Sequence, residues 1–250
     1  MKKYLMIFLI FLSACSTDRS FGSLSEKEQI NYARYYIFEQ KNVDVAEKYL
    51  LETFNKYNSR EAAILLARLH LGKYQNDKFF WSENGFQNRM KISKWIKPYA
   101  QTDKDASFLM GLIYYPHNKK TSYTFFRLSS DLGNAAASLY SGSLSNDFDN
   151  KSAALNYYTK ALKLNCATAA SHLRAISDVS FTKDEVSALE LTQKEVQANG
   201  ILGFETMAAF VNDLSIDEAN YWRHMASIRR QWVQSFLEIP IYNMNAACVF

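Results

Sequence analysis

The sequence predicts an all-α fold, a solenoid of five or six stacked helix–turn–helix pairs. Three observations point there. Helix breakers are scarce, with 8 Gly and 3 Pro, while bulky rings are abundant, with 17 Phe, 16 Tyr and 4 Trp. Such a chain packs helices through large side chains and lacks the turn residues of a β sandwich. Helix-start signals recur: Ser25-Glu26-Lys27-Glu28, Thr182-Lys183-Asp184-Glu185 and Ser215-Ile216-Asp217-Glu218 each place a hydroxyl and, three residues on, a carboxylate that reaches back. Finally, similar stretches return at a spacing close to the thirty-odd residues of one helix–turn–helix unit.

The first element is an export signal. Lys2 and Lys3 precede an apolar run from Tyr4 to Leu12. The run is far shorter than the roughly 20 residues that span a bilayer. Leu12-Ser13-Ala14-Cys15 follows and resembles the bacterial lipobox, in which small residues admit the backbone to a peptidase and the Cys thiol receives diacylglycerol. The resemblance implies a signal peptide over 1–14 and lipid attachment, with palmitate, at Cys15. Ser16 stands where an inner-membrane retention signal has Asp, which implies an outer-membrane, periplasm-facing protein of the bacterial envelope. Residues 15–24, polar and small, read as a lipidated tether.

Loss of residues 1–14 removes Lys2 and Lys3, so the formal charge falls from +4 to +2. Near balance excludes the basic footprint of nucleic-acid binding. The repeat domain spans 25–238. Four stretches carry its pattern: EAAILLARLHLG (61–72), DASFLMGLIYYP (105–116), GNAAASLYSGSL (133–144) and NCATAASHLRAI (165–176). Each carries a small residue within its first three positions and sets an apolar side chain about a turn later. Partner helices carry the dyads Trp95-Ile96, Phe125-Phe126 and Tyr157-Tyr158. With Ala62, Ala106, Ala135, Ala167 and Leu202 taken as equivalent, the spacings are 44, 29, 32 and 35 residues. The excess of the first lies in residues 73–89.

This pattern resembles the Sel-one-like repeat of the tetratricopeptide superfamily. Ala106, Met110, Gly111 and Tyr114 match its first helix, Ala154, Tyr157, Tyr158 and Ala161 its second, and Gly133 with Ala135 the junction. Asn165 holds a glycine slot, as does Ala67, and His70 holds the tyrosine slot of its unit. The resemblance covers about residues 26–235 and implies a scaffold for protein binding, with a concave face formed by the first helices. Tyr36, Arg68 and Lys73 are its candidate partner contacts.

The remaining segments carry little chemistry. His70, His117, His172 and His224 lie apart, with no zinc-ligand spacing. No nucleophile elbow, phosphate loop or dinucleotide fingerprint occurs. A non-catalytic protein without metal or cofactor is the expectation. Cys166 and Cys248 are free to pair in an oxidising envelope, though their placement at a turn and in the tail (239–250) favours two separate small apolar residues. Phe79, Phe80, Trp81 and Phe86, in an insertion with turn character, either anchor a partner at one rim or fold back over neighbouring helices. Arg229 and Arg230 read as a solvated helix end.

The combined expectation is an outer-membrane lipoprotein that scaffolds assembly of an envelope machine for secretion, pilus formation or polysaccharide export. Two other classes remain open: an envelope enzyme acting on peptidoglycan or polysaccharide, and an export pilot for an outer-membrane channel.

Overall fold

A computed structural model describes residues 20–74, 77–78, 80, 82–115, 117–164, 166, 168–176, 216, 219–221, 223–227 and 248. Among the described residues the regular structure is entirely helical, with no strand. The chain divides into two compact units, Met1–Ala62 and Ala63–Phe250.

In the first unit, α1 (Glu26–Phe38) packs on α2 (Val43–Tyr57). The division falls within the first turn of helix α3 (Arg60–Lys73). The second unit continues with α4 (Phe86–Ile96), α5 (Lys104–Tyr114), α6 (Lys119–Asp131), α7 (Ala135–Asp147), α8 (Lys151–Lys163) and α9 (Thr168–Ile176). There each helix packs on its successor, α4 on α5 through α8 on α9. This neighbour-on-neighbour order is that of an all-α solenoid, in which no pair can bury its apolar faces alone.

Most of the described helices start where short polar side chains satisfy orphan amides. Ser25 and Glu28 form the predicted capping box, and Asn42, Asp103, Asn118, Asn134 and Asn150 cap α2, α5, α6, α7 and α8. Helices α2, α6 and α7 end in left-handed turns. Gly133, at φ 88°, closes α6: its amide donates to the Ser130 carbonyl at 2.9 Å, and the Asn134 amide donates to Ser129 at 3.1 Å. Asp149, at φ 57°, does the same for α7, with the Asn150 amide on the Ser145 carbonyl at 2.9 Å. Both are Schellman ends.

The caps fix the repeat register. Three residues after the capping side chain stands a fully buried Ala: Ala62 after Ser59, Ala106 after Asp103 and Ala137 after Asn134. The equivalent of Ala106 is therefore Ala137, not Ala135, and the sequence reading slipped by two residues because three consecutive alanines hide the frame. Eight residues after each cap the first helices place a small residue: Ala33, Ala67, Gly111 and Gly142. The second helices place a large one at the same offset: Leu50, Phe126 and Tyr158. At Gly111 a Cβ would lie 2.5 Å from two ring carbons of Phe126, and at Gly142 it would lie 2.6 Å from two of Tyr158. Glycine faces an aromatic ring there, whereas alanine shares its pair with aliphatic Leu50. Buried serines lock the same interface: Ser107 donates to the Phe125 carbonyl at 2.9 Å and Ser122 to the Gly111 carbonyl at 2.8 Å.

Two expectations change. Residues 21–24 belong to the fold rather than to the tether. Gln29 Nε2 donates to the carbonyls of Phe21 (3.0 Å) and Leu24 (3.2 Å), Lys56 Nζ to Gly22 (2.7 Å), and the Tyr57 hydroxyl to Leu24 (2.7 Å). Cys166 and Cys248 are joined in a disulfide with Cα atoms 4.4 Å apart, not separate. Apolar packing brings them together: Cys248 rests on the cluster of Leu139, Tyr158, Leu162 and Leu173 that surrounds Cys166. The expected helices over 182–235 and the tail fall largely outside the described residues, as do Cys15, Arg229 and Arg230. No helix among the described residues is long and apolar enough to cross a membrane.

Candidate functional site

The insertion that lengthens the first repeat spacing builds a cleft of about 360 Å³ in the second unit. Its walls come from three neighbouring stretches of chain. The end of α3 supplies His70 and, just past it, Tyr74; the insertion supplies Asp77 and Phe80; one face of α4 supplies Asn88, Lys91, Ile92, Lys94 and Trp95. The spacing of Asn88, Lys91 and Trp95, three and four residues apart, sets them on one side of α4.

The floor is aromatic. Tyr74 stacks on Phe80 with ring centroids 4.6 Å apart, and His70 lies against Trp95 at 4.8 Å. The rim is polar and mostly cationic. Lys94 Nζ sits 5.2 Å over the Trp95 ring, and Lys91 Nζ donates to Asn88 Oδ1 at 3.4 Å. Asp77 is the acidic wall residue, and its carboxylate accepts from the Phe80 amide at 3.0 Å, which closes the turn that carries Phe80. Aromatic faces with lysines at the edge suit an apolar or aromatic side chain flanked by carboxylates.

A buried arginine holds the insertion in place. Arg89, fully buried on α4, donates Nε to the Ile113 carbonyl at 3.1 Å and Nη1 to the carbonyls of Phe80 and Ser82. Its guanidinium also lies about 6 Å from the Phe80 and Phe86 rings. Burial pulls its pKa below the usual arginine value. One side chain thus ties the insertion to the last turn of α5, where carbonyls lack helical donors.

The sequence candidates are scattered. Phe80 is turned inward, 4 % exposed, so it forms the cleft floor instead of projecting to a partner. Phe86 leans away from the cleft, stacked on His117 at 4.0 Å and beside Tyr114 at 5.5 Å. Phe79 and Trp81 lie outside the described residues. Arg68 pairs with Asp105 at 3.1 Å, half-buried, and so bridges α3 to α5. Lys73 is exposed at the end of α3 and is not among the residues that line the cleft. Tyr36 belongs to the first unit, 5.4 Å from Tyr49, and joins none of the others. The sequence reading missed Lys91, Lys94 and Asn88. Their one-face spacing next to an insertion was the available signal. Of the histidines, His172 stacks on Tyr158 at 4.9 Å, and burial lowers its pKa.

No family model matches the chain, and no curated protein matches it. Among solved structures, the fold is similar to that of a Sel1 repeat protein from Oxalobacter formigenes, with a TM-score of 0.63 at 15% identity, over 86% of this chain and 92% of the other. A second similar structure is that of MamA protein, with a TM-score of 0.47 at 13% identity, over 70% of this chain and 91% of that one. The first likeness agrees with the repeat architecture expected from the small-residue pattern.

Proposed function

We propose that this chain is a lipid-anchored scaffold of the bacterial outer membrane, facing the periplasm, that binds other proteins during assembly of an envelope machine for secretion, pilus formation or polysaccharide export. The observation that carries the binding role is the cleft itself: an insertion into a repeat array, clamped by Arg89, that leaves an aromatic floor open between lysines. Repeat arrays offer extended surfaces to partner segments. The anchor rests on Leu12-Ser13-Ala14-Cys15 and the apolar run before it. A disulfide between Cys166 and Cys248 suits the oxidising compartment that this location provides. Anchoring would confine the scaffold to one surface and raise the effective concentration of its partners there.

Two experiments test the proposal. Palmitate labelling is expected for the wild type and is lost in Cys15→Ser. Affinity capture from native envelopes is expected to retain polypeptides that the doubly substituted Lys91→Glu/Lys94→Glu chain releases. Capture of murein or polysaccharide fragments alone would overturn the scaffold reading in favour of an envelope enzyme.

A further inference from the structure

We propose that a tyrosine patch on the first unit lies directly on the phospholipid surface, so that α1 and α2 rest on the membrane instead of hanging from it. The inference rests on the lipid anchor at Cys15 and adds an orientation to it. The four hydrogen bonds that hold residues 21–24 on α1 and α2 place only Ser16 to Ser20 between Cys15 and the held segment. That stretch reaches about 20 Å when fully extended. Helix α2, with 15 residues, is itself about 22 Å long. The pair therefore stays within one helix length of the bilayer.

At the point where the chain leaves the unit, rings accumulate. Phe21 stacks on Tyr49 at 4.1 Å, and Tyr32 lies 6.2 Å from Phe21 and 6.1 Å from Tyr49. Tyr36 is 5.4 Å from Tyr49, and Tyr35 is 5.6 Å from Tyr36. Tyr32 and Tyr35 are each 37% exposed. A tyrosine has an apolar body and a polar tip, the combination enriched at headgroup depth. The charges of α1 and α2 nearly cancel, so this contact draws on ring partition and not on attraction to anionic lipid.

The test places a photoreactive phenylalanine analogue at Tyr32, Tyr35 or Arg34 in the full-length chain within native envelopes. Arg34 lies on the opposite side of α1 from the rings and serves as the control. The expected result is a several-fold greater yield of phospholipid adducts at the two tyrosine positions, unchanged in high salt. Mass analysis of the N-terminal peptide reports acylation of Cys15 in the same sample. Acylated protein with adduct yields equal at all three positions, or with polypeptide adducts at Tyr32 and Tyr35 in place of lipid, would overturn the inference and leave the anchor standing. An unacylated Cys15 would overturn the anchor, and the inference with it.

Discussion

Gly111→Ala is the sharpest test of the packing. In a helix interior the substitution ordinarily gains about 1 kcal/mol from reduced backbone freedom in the unfolded chain. Here the new methyl would meet two Phe126 ring carbons at 2.5 Å, and Phe126 is fully buried with no room to swing. Overpacking of this kind costs about 1–3 kcal/mol, so the clash offsets the gain and the variant is less stable by up to about 2 kcal/mol. For a chain of this size that lowers Tm by up to about 8 °C. Phe126→Leu alone removes ring volume and costs a similar amount, about 1–2 kcal/mol. The double variant recreates the combination the chain already uses in the first unit, where Ala33 shares its pair with Leu50. It should recover at least about 1 kcal/mol relative to the sum of the singles. Thermal melts of the four proteins measure the coupling. A raised Tm for Gly111→Ala, or additivity within about 0.5 kcal/mol, would refute the small-against-large account.

The disulfide closes a span of 82 residues, and the chain-entropy model gives such a link about 4.5 kcal/mol; Cys166→Ser should lower the oxidised protein's Tm, while reductant should leave the variant unchanged. Arg89→Met removes the donors that the Phe80, Ser82 and Ile113 carbonyls use; a loss of about 2–3 kcal/mol is expected, with proteolytic nicking in residues 74–85 as the local readout. Burial lowers the His172 pKa, so the unfolded chain binds more protons than the folded one near and below the ordinary value of about 6.5. Stability should fall as pH drops through that window, and His172→Gln should fall less steeply; equal slopes would contradict the burial argument.

The architecture was legible because its determinants are local. The Ser25 capping box, the junction glycine Gly133, and small residues at helical spacing are all short-range signals. The frame of α7 was not, because Ala135, Ala136 and Ala137 are alike in sequence, and only the Asn134 hydrogen bond to Ala137 selects among them. The disulfide was missed for the opposite reason: its partners are far apart in sequence, and tertiary packing alone brings them together. The cleft was half legible. Its insertion stands out as excess length, but whether Phe80 points in or out depends on a buried Arg89 that reads in sequence as an ordinary surface charge.

The cross-link at Cys166 gives the chain unequal ends. A stack of coupled pairs tends to unravel from its termini, where each pair has one neighbour instead of two. With Cys248 stapled beside α8 and α9, peeling from the C-terminal side is blocked by a covalent bond. Under mechanical load or heat, fraying should therefore start among the earlier helices, and reducing the bond should open a second front.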